Sequence, residues 1–202
     1  MGNITNILLE RLERDFAITD ITERHERLTT FKVAKDHAET LIRELRDREG
    51  FTHLNFITCI DYIEDGIFSL VYMLQNYDQH AMLGVHVEID RDHAEMASIH
   101  TLWAQAWTYQ RELRELWGID FPGSPRVEED FCLEGWEEIP PMRREFDTVE
   151  YCERTFTSRD GRETINPREH MQEIDISASD GATIPLTWFE ASKPRCALLL
   201  LP

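Results

Sequence analysis

Residues 54–89 read LNFITCIDYIEDGIFSLVYMLQNYDQHAMLGVHVEI, and this run decides the fold. Leu54–Tyr62 and Ile67–Gln75 are rich in β-branched and aromatic residues, which suit strands. Between them stands Ile63-Glu64-Asp65-Gly66, and Asp-Gly is a hairpin signal because its tight turn places both residues at positive φ. In the second strand Leu70, Tyr72 and Leu74 alternate with Val71 and Met73. Both of its faces are apolar, which predicts a strand with neighbours on each side. A turn at Asn76-Tyr77-Asp78-Gln79 leads into Met82–Ile89, where Leu83, Val85, Val87 and Ile89 oppose Gly84, His86 and Glu88. One face of that strand is dry and the other wet. Three antiparallel strands backed by helices follow, which is an α+β arrangement with a mixed, mainly antiparallel sheet.

Outward from this centre the period changes. Ile4, Ile7, Leu8, Leu12 and Phe16 fall on one face of a helix over Ile4–Phe16, with Asn3 placed to cap it. Ile18–His25 and Leu28–Val33 alternate as strands. In the latter, Thr29, Phe31 and Val33 oppose Leu28, Thr30 and Lys32. Ala38, Leu41, Ile42 and Leu45 stripe a helix over Lys35–Glu49 that stops at Gly50. On the other side, Leu102, Ala106, Tyr109, Leu113, Leu116 and Trp117 predict a helix over Leu102–Trp117 ended by Gly118. On its opposite face Arg111 and Glu115 stand four apart and can pair. Residues 131–146 have no period, and Pro140 and Pro141 forbid a regular element there. Such an aromatic and basic segment lies extended across a surface. Toward the end of the chain, Ile174–Ala178 and Ala182–Trp188 flank Ser179-Asp180-Gly181 as a further hairpin, with Pro185 confining its strand to an edge. Cys196–Leu201 is strongly apolar and reads as a terminal strand that needs cover.

Composition narrows the function classes. The 202 residues carry 39 acidic and 21 basic side chains, a formal charge of −18. Such a chain repels phosphate backbones and anionic lipid, so nucleic acid is excluded as a partner and basic protein surfaces are favoured. No apolar run approaches the ~20 residues that span a bilayer, and the start carries neither a secretory nor a transit pattern. Cys59, Cys132, Cys152 and Cys196 are scattered, without the close pair that iron–sulfur and structural zinc sites use. His86 and Glu88 share a strand face without a third ligand at a telling spacing, so the reading is a solvated face. Trp103, Trp107, Trp117 and Trp136 read as core or interface aromatics.

At Gln110-Arg111-Glu112-Leu113-Arg114-Glu115-Leu116-Trp117-Gly118-Ile119 the sequence resembles the signature of the 30-kDa subunit family of complex I, NADH:quinone oxidoreductase. Arg111, Glu112, Glu115, Leu116, Trp117, Gly118 and Ile119 match, and Gln110 replaces the usual glutamate. Phe56–Tyr62, Leu70–Leu74 and the segment Trp136-Glu137-Glu138-Ile139-Pro140-Pro141-Met142-Arg143-Arg144-Glu145-Phe146 also resemble the family, in the right order. The match covers residues 51–147. Ser124 stands where the family has His or Lys, and Glu128, Glu129 and Asp130 stand at positions usually basic or aliphatic, which are expected to face neighbouring subunits. The Pro140–Arg144 version is similar to relatives in membrane-bound, energy-converting NiFe hydrogenases and formate hydrogenlyase.

The resemblance implies a non-redox scaffold subunit in the hydrophilic arm of a complex-I-like oxidoreductase. It would sit peripherally on the cytoplasmic face of the membrane and hold cofactor-bearing neighbours in place for electron transfer coupled to ion translocation. No catalytic, cofactor-binding or metal residues are expected in this protein; iron–sulfur clusters, with NiFe or flavin, would reside in partner subunits. Arg111, Glu112, Glu115, Trp136, Arg143 and Arg144 are the expected interface residues. The domain reading is 1–147 for the family-like part and 148–202 for an extension that docks on partners. Two rivals stand beside it: a free-standing soluble enzyme of hydrolase type, suggested only by the tail and lacking a Gly-x-Ser-x-Gly motif, and an adaptor outside respiration.

Overall fold

The computed structural model describes residues 6–156, 171–177 and 183–189. Two compact units divide the chain, Met1–Thr148 and Val149–Pro202. In the first unit the elements run α1 (Asn6–Phe16), β1 (Thr19–His25), β2 (Leu28–Val33), α2 (Lys35–Asp47), β3 (His53–Tyr62), β4 (Ile67–Asn76), β5 (Ala81–Asp90) and α3 (Ala106–Trp117). The five strands form one sheet in the order β1-β2-β5-β4-β3. The fold is α+β, with a sheet that is antiparallel except where β2 lies parallel to β5.

The central hairpin forms where the alternation places it, with Tyr62 opposite Ile67 across a four-residue loop. Only Gly66 of that loop takes positive φ, at 68°, while Asp65 does not. A four-residue loop needs one left-handed position rather than the two of a tight Asp-Gly turn. β4 has strands on both sides, as its two apolar faces require. The sheet grows beyond three strands because β2 adds to β5 in register, Phe31 opposite Val85 and Val33 opposite Val87. That parallel pairing joins segments about fifty residues apart and leaves no mark in local periodicity.

Register sorts the side chains into layers. Ile57, Tyr72, Val85 and Phe31 align across four strands, as do Cys59, Leu70, Val87 and Val33. All are buried in the core with Ala38, Leu41, Ile42 and Leu45 of α2 and Leu113 and Trp117 of α3. Helix α2 packs on β5 and α3 on β3. In α1 the buried residues are Leu8, Leu9, Leu12 and Phe16, whereas Ile7, expected on the apolar face, is 76% exposed. Arg11 fixes α1 to α2 through Glu44 and to the turn after it through Glu49, each at 2.8 Å. On the other face of the sheet Phe56, Ile60 and Tyr62 stand partly exposed.

The second unit contains most of α4 (Thr148–Thr155), which the sequence reading did not anticipate, and the antiparallel pair β6 (Met171–Ser177) and β7 (Thr183–Phe189). Pro185 sits opposite Asp175 in a two-stranded ribbon, where each strand is an edge. The Asn3 cap, the Ser179-Asp180-Gly181 turn and the strand expected at Cys196–Leu201 lie outside the described residues. No helix of the described residues is long and apolar enough to cross a membrane.

Candidate functional site: a strap across the end of helix α3

Helix α3 begins beside β3 and is tied there by side chains. Trp103 Nε1 donates to the Thr52 carbonyl (2.7 Å), Gln105 Nε2 to that of Leu54 (2.5 Å) and Tyr109 Oη to that of Asn55 (2.8 Å). The helix ends at Gly118, with φ 76° and its N–H bonded to the Arg114 carbonyl, so the backbone reverses over the helix terminus. Residues 119–147 then wrap back over α3 without forming a helix or strand, in keeping with their prolines and missing period.

The matched charges of α3 hold this returning segment. The Arg111 guanidinium donates to the carbonyls of Glu129 (3.2 Å) and Asp130, and lies over the rings of Trp107 and Phe131. Glu115 accepts from the N–H groups of Phe131 (2.6 Å) and Cys132 (2.9 Å). Arg111 and Glu115 therefore do not form the expected pair; each instead satisfies backbone groups of a loop that has no ladder of its own. Glu112 is half-buried and makes no hydrogen bond or ion pair with a described residue. Glu128 and Glu129, expected to face neighbours, pair internally with Arg114 and Arg126. Gln110, at the position of the usual glutamate, is fully buried and accepts from the hydroxyls of Ser98 (2.7 Å) and Ser124 (2.6 Å). The two departures at 110 and 124 thus meet as one neutral couple, which avoids the desolvation cost of a buried charge.

The second matched segment crosses the end of α3. Met142 N–H donates to the Leu116 carbonyl (3.0 Å), and Arg143 Nε donates to the Trp117 carbonyl (2.8 Å), so both satisfy orphan carbonyls of the last helical turn. Trp136 closes the strap on itself, with Nε1 on the Ile139 carbonyl (3.0 Å) and its ring edge-on to Phe146.

Beyond α3 the strap meets an ion network that sequence reasoning missed. Arg91, just after β5, grips Asp61 of β3 with two hydrogen bonds, 2.8 and 3.1 Å, and also binds Glu145. The Arg144 N–H donates to Asp61 (3.0 Å), and its guanidinium reaches Glu64 at 2.5 Å. Arg91 and Arg143 both lie over the Phe68 ring. The available signal was parity: Asp61 shares a strand face with Ile57 and Cys59, and a carboxylate on a core face needs a partner.

These contacts make the strap acid-sensitive. Burial works against ionising Asp61, but the Arg91 guanidinium and the Arg144 N–H outweigh it and hold the carboxyl below its usual range. Burial likewise opposes ionisation of Glu115 and Glu145; N–H donors from residues 131–133 prevail at Glu115, and Arg91 at Glu145. With folded values depressed, their contribution is complete above the unfolded values of about 4 and is lost as pH falls through the lower folded ones. Amide exchange in residues 129–133 and 142–146 is therefore expected to rise as pH falls below about 4, ahead of the β4 core. Equal protection of both regions through that range would refute the clamp.

On the open sheet face His86 bonds Ser69 (3.3 Å), and Glu88 is taken by Lys32 (2.7 Å). No group of three His, Cys, Asp or Glu among the described residues is placed to hold a metal ion.

Residues 31–152 match the family described as the 30 Kd subunit of the respiratory-chain NADH dehydrogenase. The protein is 31% identical over 138 residues to the C subunit of the NADH-quinone oxidoreductase of Moorella thermoacetica, covering 68% of this chain and 92% of that protein. It is 29% identical to the C subunit of the F(420)H(2) dehydrogenase of Methanosarcina mazei, covering 57% and 73%. Among solved structures it matches one polypeptide of the membrane-bound sulfane sulfur reductase, an archaeal respiratory membrane complex, with a TM-score of 0.67 and 26% identity over 76% of this chain and 95% of that one. A trypsin-resistant fragment of Nqo5, at 20% identity and a TM-score of 0.51, shares the fold.

Proposed function

The protein belongs to the family of the 30 Kd subunit of the respiratory-chain NADH dehydrogenase, and from that premise we propose that it is a non-redox scaffold subunit of a complex-I-like oxidoreductase. It acts by position, holding cofactor-bearing neighbours at fixed separations in the peripheral arm, on the cytoplasmic face of the membrane. Iron–sulfur clusters, with flavin or NiFe, belong to those neighbours, while this protein binds none.

The supporting observation is how the matched residues are used. Arg111, Glu115 and Arg143 spend their hydrogen bonds on the protein's own backbone. Side chains engaged in that way satisfy and hold the backbone of a segment that has no ladder of its own. They fix a strap whose outer side presents Ile139 and Met142, 45% and 52% exposed, and Arg144 to a partner. Among the six expected interface residues, Arg144 is the best placed for an outside contact, and Arg143 serves the strap first.

The test is affinity isolation of the intact protein from gently solubilised native membranes, with mass spectrometry and metal analysis. Cluster-bearing subunits should accompany it, and the separated protein should be free of iron. A protein recovered alone, or one carrying its own cluster, would overturn the reading. Arg144→Ala is expected to reduce recovery of partners with a Tm change within about 2 °C, since exposed pairs contribute at most ~1 kcal/mol. Full recovery with Arg144→Ala would remove that residue from the interface.

A further inference from the structure

Both edges of the five-stranded sheet should be protected against pairing with another polypeptide, and they are treated differently. The β1 edge is polar and interrupted: its sequence is TDITERH, nearly every residue is exposed, and its register with β2 shifts twice. At the other edge the first residues of β3 are covered, because Trp103, Gln105 and Tyr109 occupy the carbonyls of Thr52, Leu54 and Asn55. That cover stops at Asn55. From Phe56 to Ile60, β3 has a ladder with β4 on one side, and among the described residues no group bonds its main chain on the other. Along this stretch Phe56 and Ile60 are 41% and 39% exposed, while Ile57 and Cys59 between them are buried. Tyr62, 40% exposed, continues the stripe.

An uncovered edge that shows exposed Phe56, Ile60 and Tyr62 on one face, with Thr58 between the first two, is an aggregation site unless something occupies it. We infer that residues 56–60 of β3 receive an extended strand of a neighbouring subunit, one that carries alternate apolar side chains and flanking Lys or Arg. Main-chain hydrogen bonds would supply affinity, and the stripe at Phe56, Ile60 and Tyr62 would set register. Charge argues for the basic flanks and against a second copy of this protein: it carries −18, and Asp65 and Asp90 stand beside the far end of the stripe, where Glu64 and Glu88 are paired with Arg144 and Lys32. Lys32 bridges Asp20 and Glu88, so one cation meets two carboxylates there and the balance stays acidic. The inference rests on the subunit reading and adds to it a place and a mode of contact.

Amide exchange by mass spectrometry on the free full-length protein and on the isolated complex tests it. Exchange across residues 56–60 is expected to slow at least tenfold in the complex, with the β1 peptide 19–25 unchanged. A photo-crosslinking benzoyl-phenylalanine at position 60 should then join one extended, Lys- or Arg-flanked peptide of another subunit. Ile60→Asp should cut recovery of that subunit at least tenfold while lowering the Tm of the free protein by no more than about 4 °C. A complex of normal composition with no slowing at 56–60 overturns the inference and leaves the subunit reading intact. A crosslink to a helix, to residues 190–202 of this protein or to a second copy also overturns it. A protein recovered without any partner overturns both.

Discussion

Replacing Arg91 with Leu is expected to destabilise the protein by about 3–5 kcal/mol, the cost of removing one partner from a buried ion pair. The Asp61 side chain is only 4% exposed and would keep the Arg144 N–H as its remaining donor. Glu145 would lose the same cation, so that tie between strap and sheet would go too, while Arg144 kept its own bonds to Asp61 and Glu64. For a unit of this size the loss corresponds to a fall in Tm of about 10 °C. The double variant Arg91→Leu with Asp61→Leu should recover much of it, because no uncompensated charge remains. Thermal unfolding of the single and double variants decides the matter. A single variant within about 1 kcal/mol of the parent would mean the pair behaves as an exposed one.

The second large effect is at Gly118. Its φ of 76° is a left-handed cap, and an added Cβ would lie 3.1 Å from Pro140 Cγ and 3.3 Å from Arg143 Nη2. Gly118→Ala meets the left-handed penalty of about 1–2 kcal/mol together with that crowding. Gly118→Val, β-branched at a positive φ, is expected to exceed it and to expel Pro140 and Arg143 from the helix end. Gly66 is the internal control: its φ is 68°, but nothing stands within 4 Å of an added Cβ. Gly66→Ala therefore carries the backbone cost alone. Urea unfolding of the two Ala variants separates the contributions, and the Met142 amide, bonded to the Leu116 carbonyl, should lose exchange protection only in the Gly118 variants. Equal losses at the two glycines would show that the strap does not press on the helix end.

Legibility in the sequence followed the range of the interaction. Alternation over residues 54–89 was enough for β3, β4 and β5, because period and turn chemistry are local. The stripe Ala38, Leu41, Ile42, Leu45 and the stop at Gly118 were equally plain. The parallel pairing of β2 with β5 was not, since an apolar strand looks the same whichever neighbour it takes. The same limit applied at the strap. The resemblance marked Arg111, Glu115 and Arg143, but whether each meets a neighbour or its own backbone depends on where residues 129–133 and 139–146 return. Spacing offered Glu115 as a partner for Arg111, and the fold gave both to a backbone with unsatisfied groups. Asp61 and Arg91 lie thirty residues apart, and only parity on β3 hinted at the need that Arg91 meets.

The three inner strands have a mechanical consequence. β3, β4 and β5 each run ten residues, and at strand rise that is a plate about 33 Å long. Five strands side by side leave four gaps of ~4.8 Å, so its width between the outer strands is about 19 Å. Such a plate resists shear in an unusual way. A slip of one residue would turn Leu70, Tyr72 and Leu74 out of the core, so the smallest slip that keeps them inside is two residues, about 6.7 Å. Between those stops there is no soft direction of travel. A load carried between β4 and β5, whose register runs unbroken over ten pairs, is held at fixed spacing until the pairing breaks, the behaviour of a strut rather than a spring.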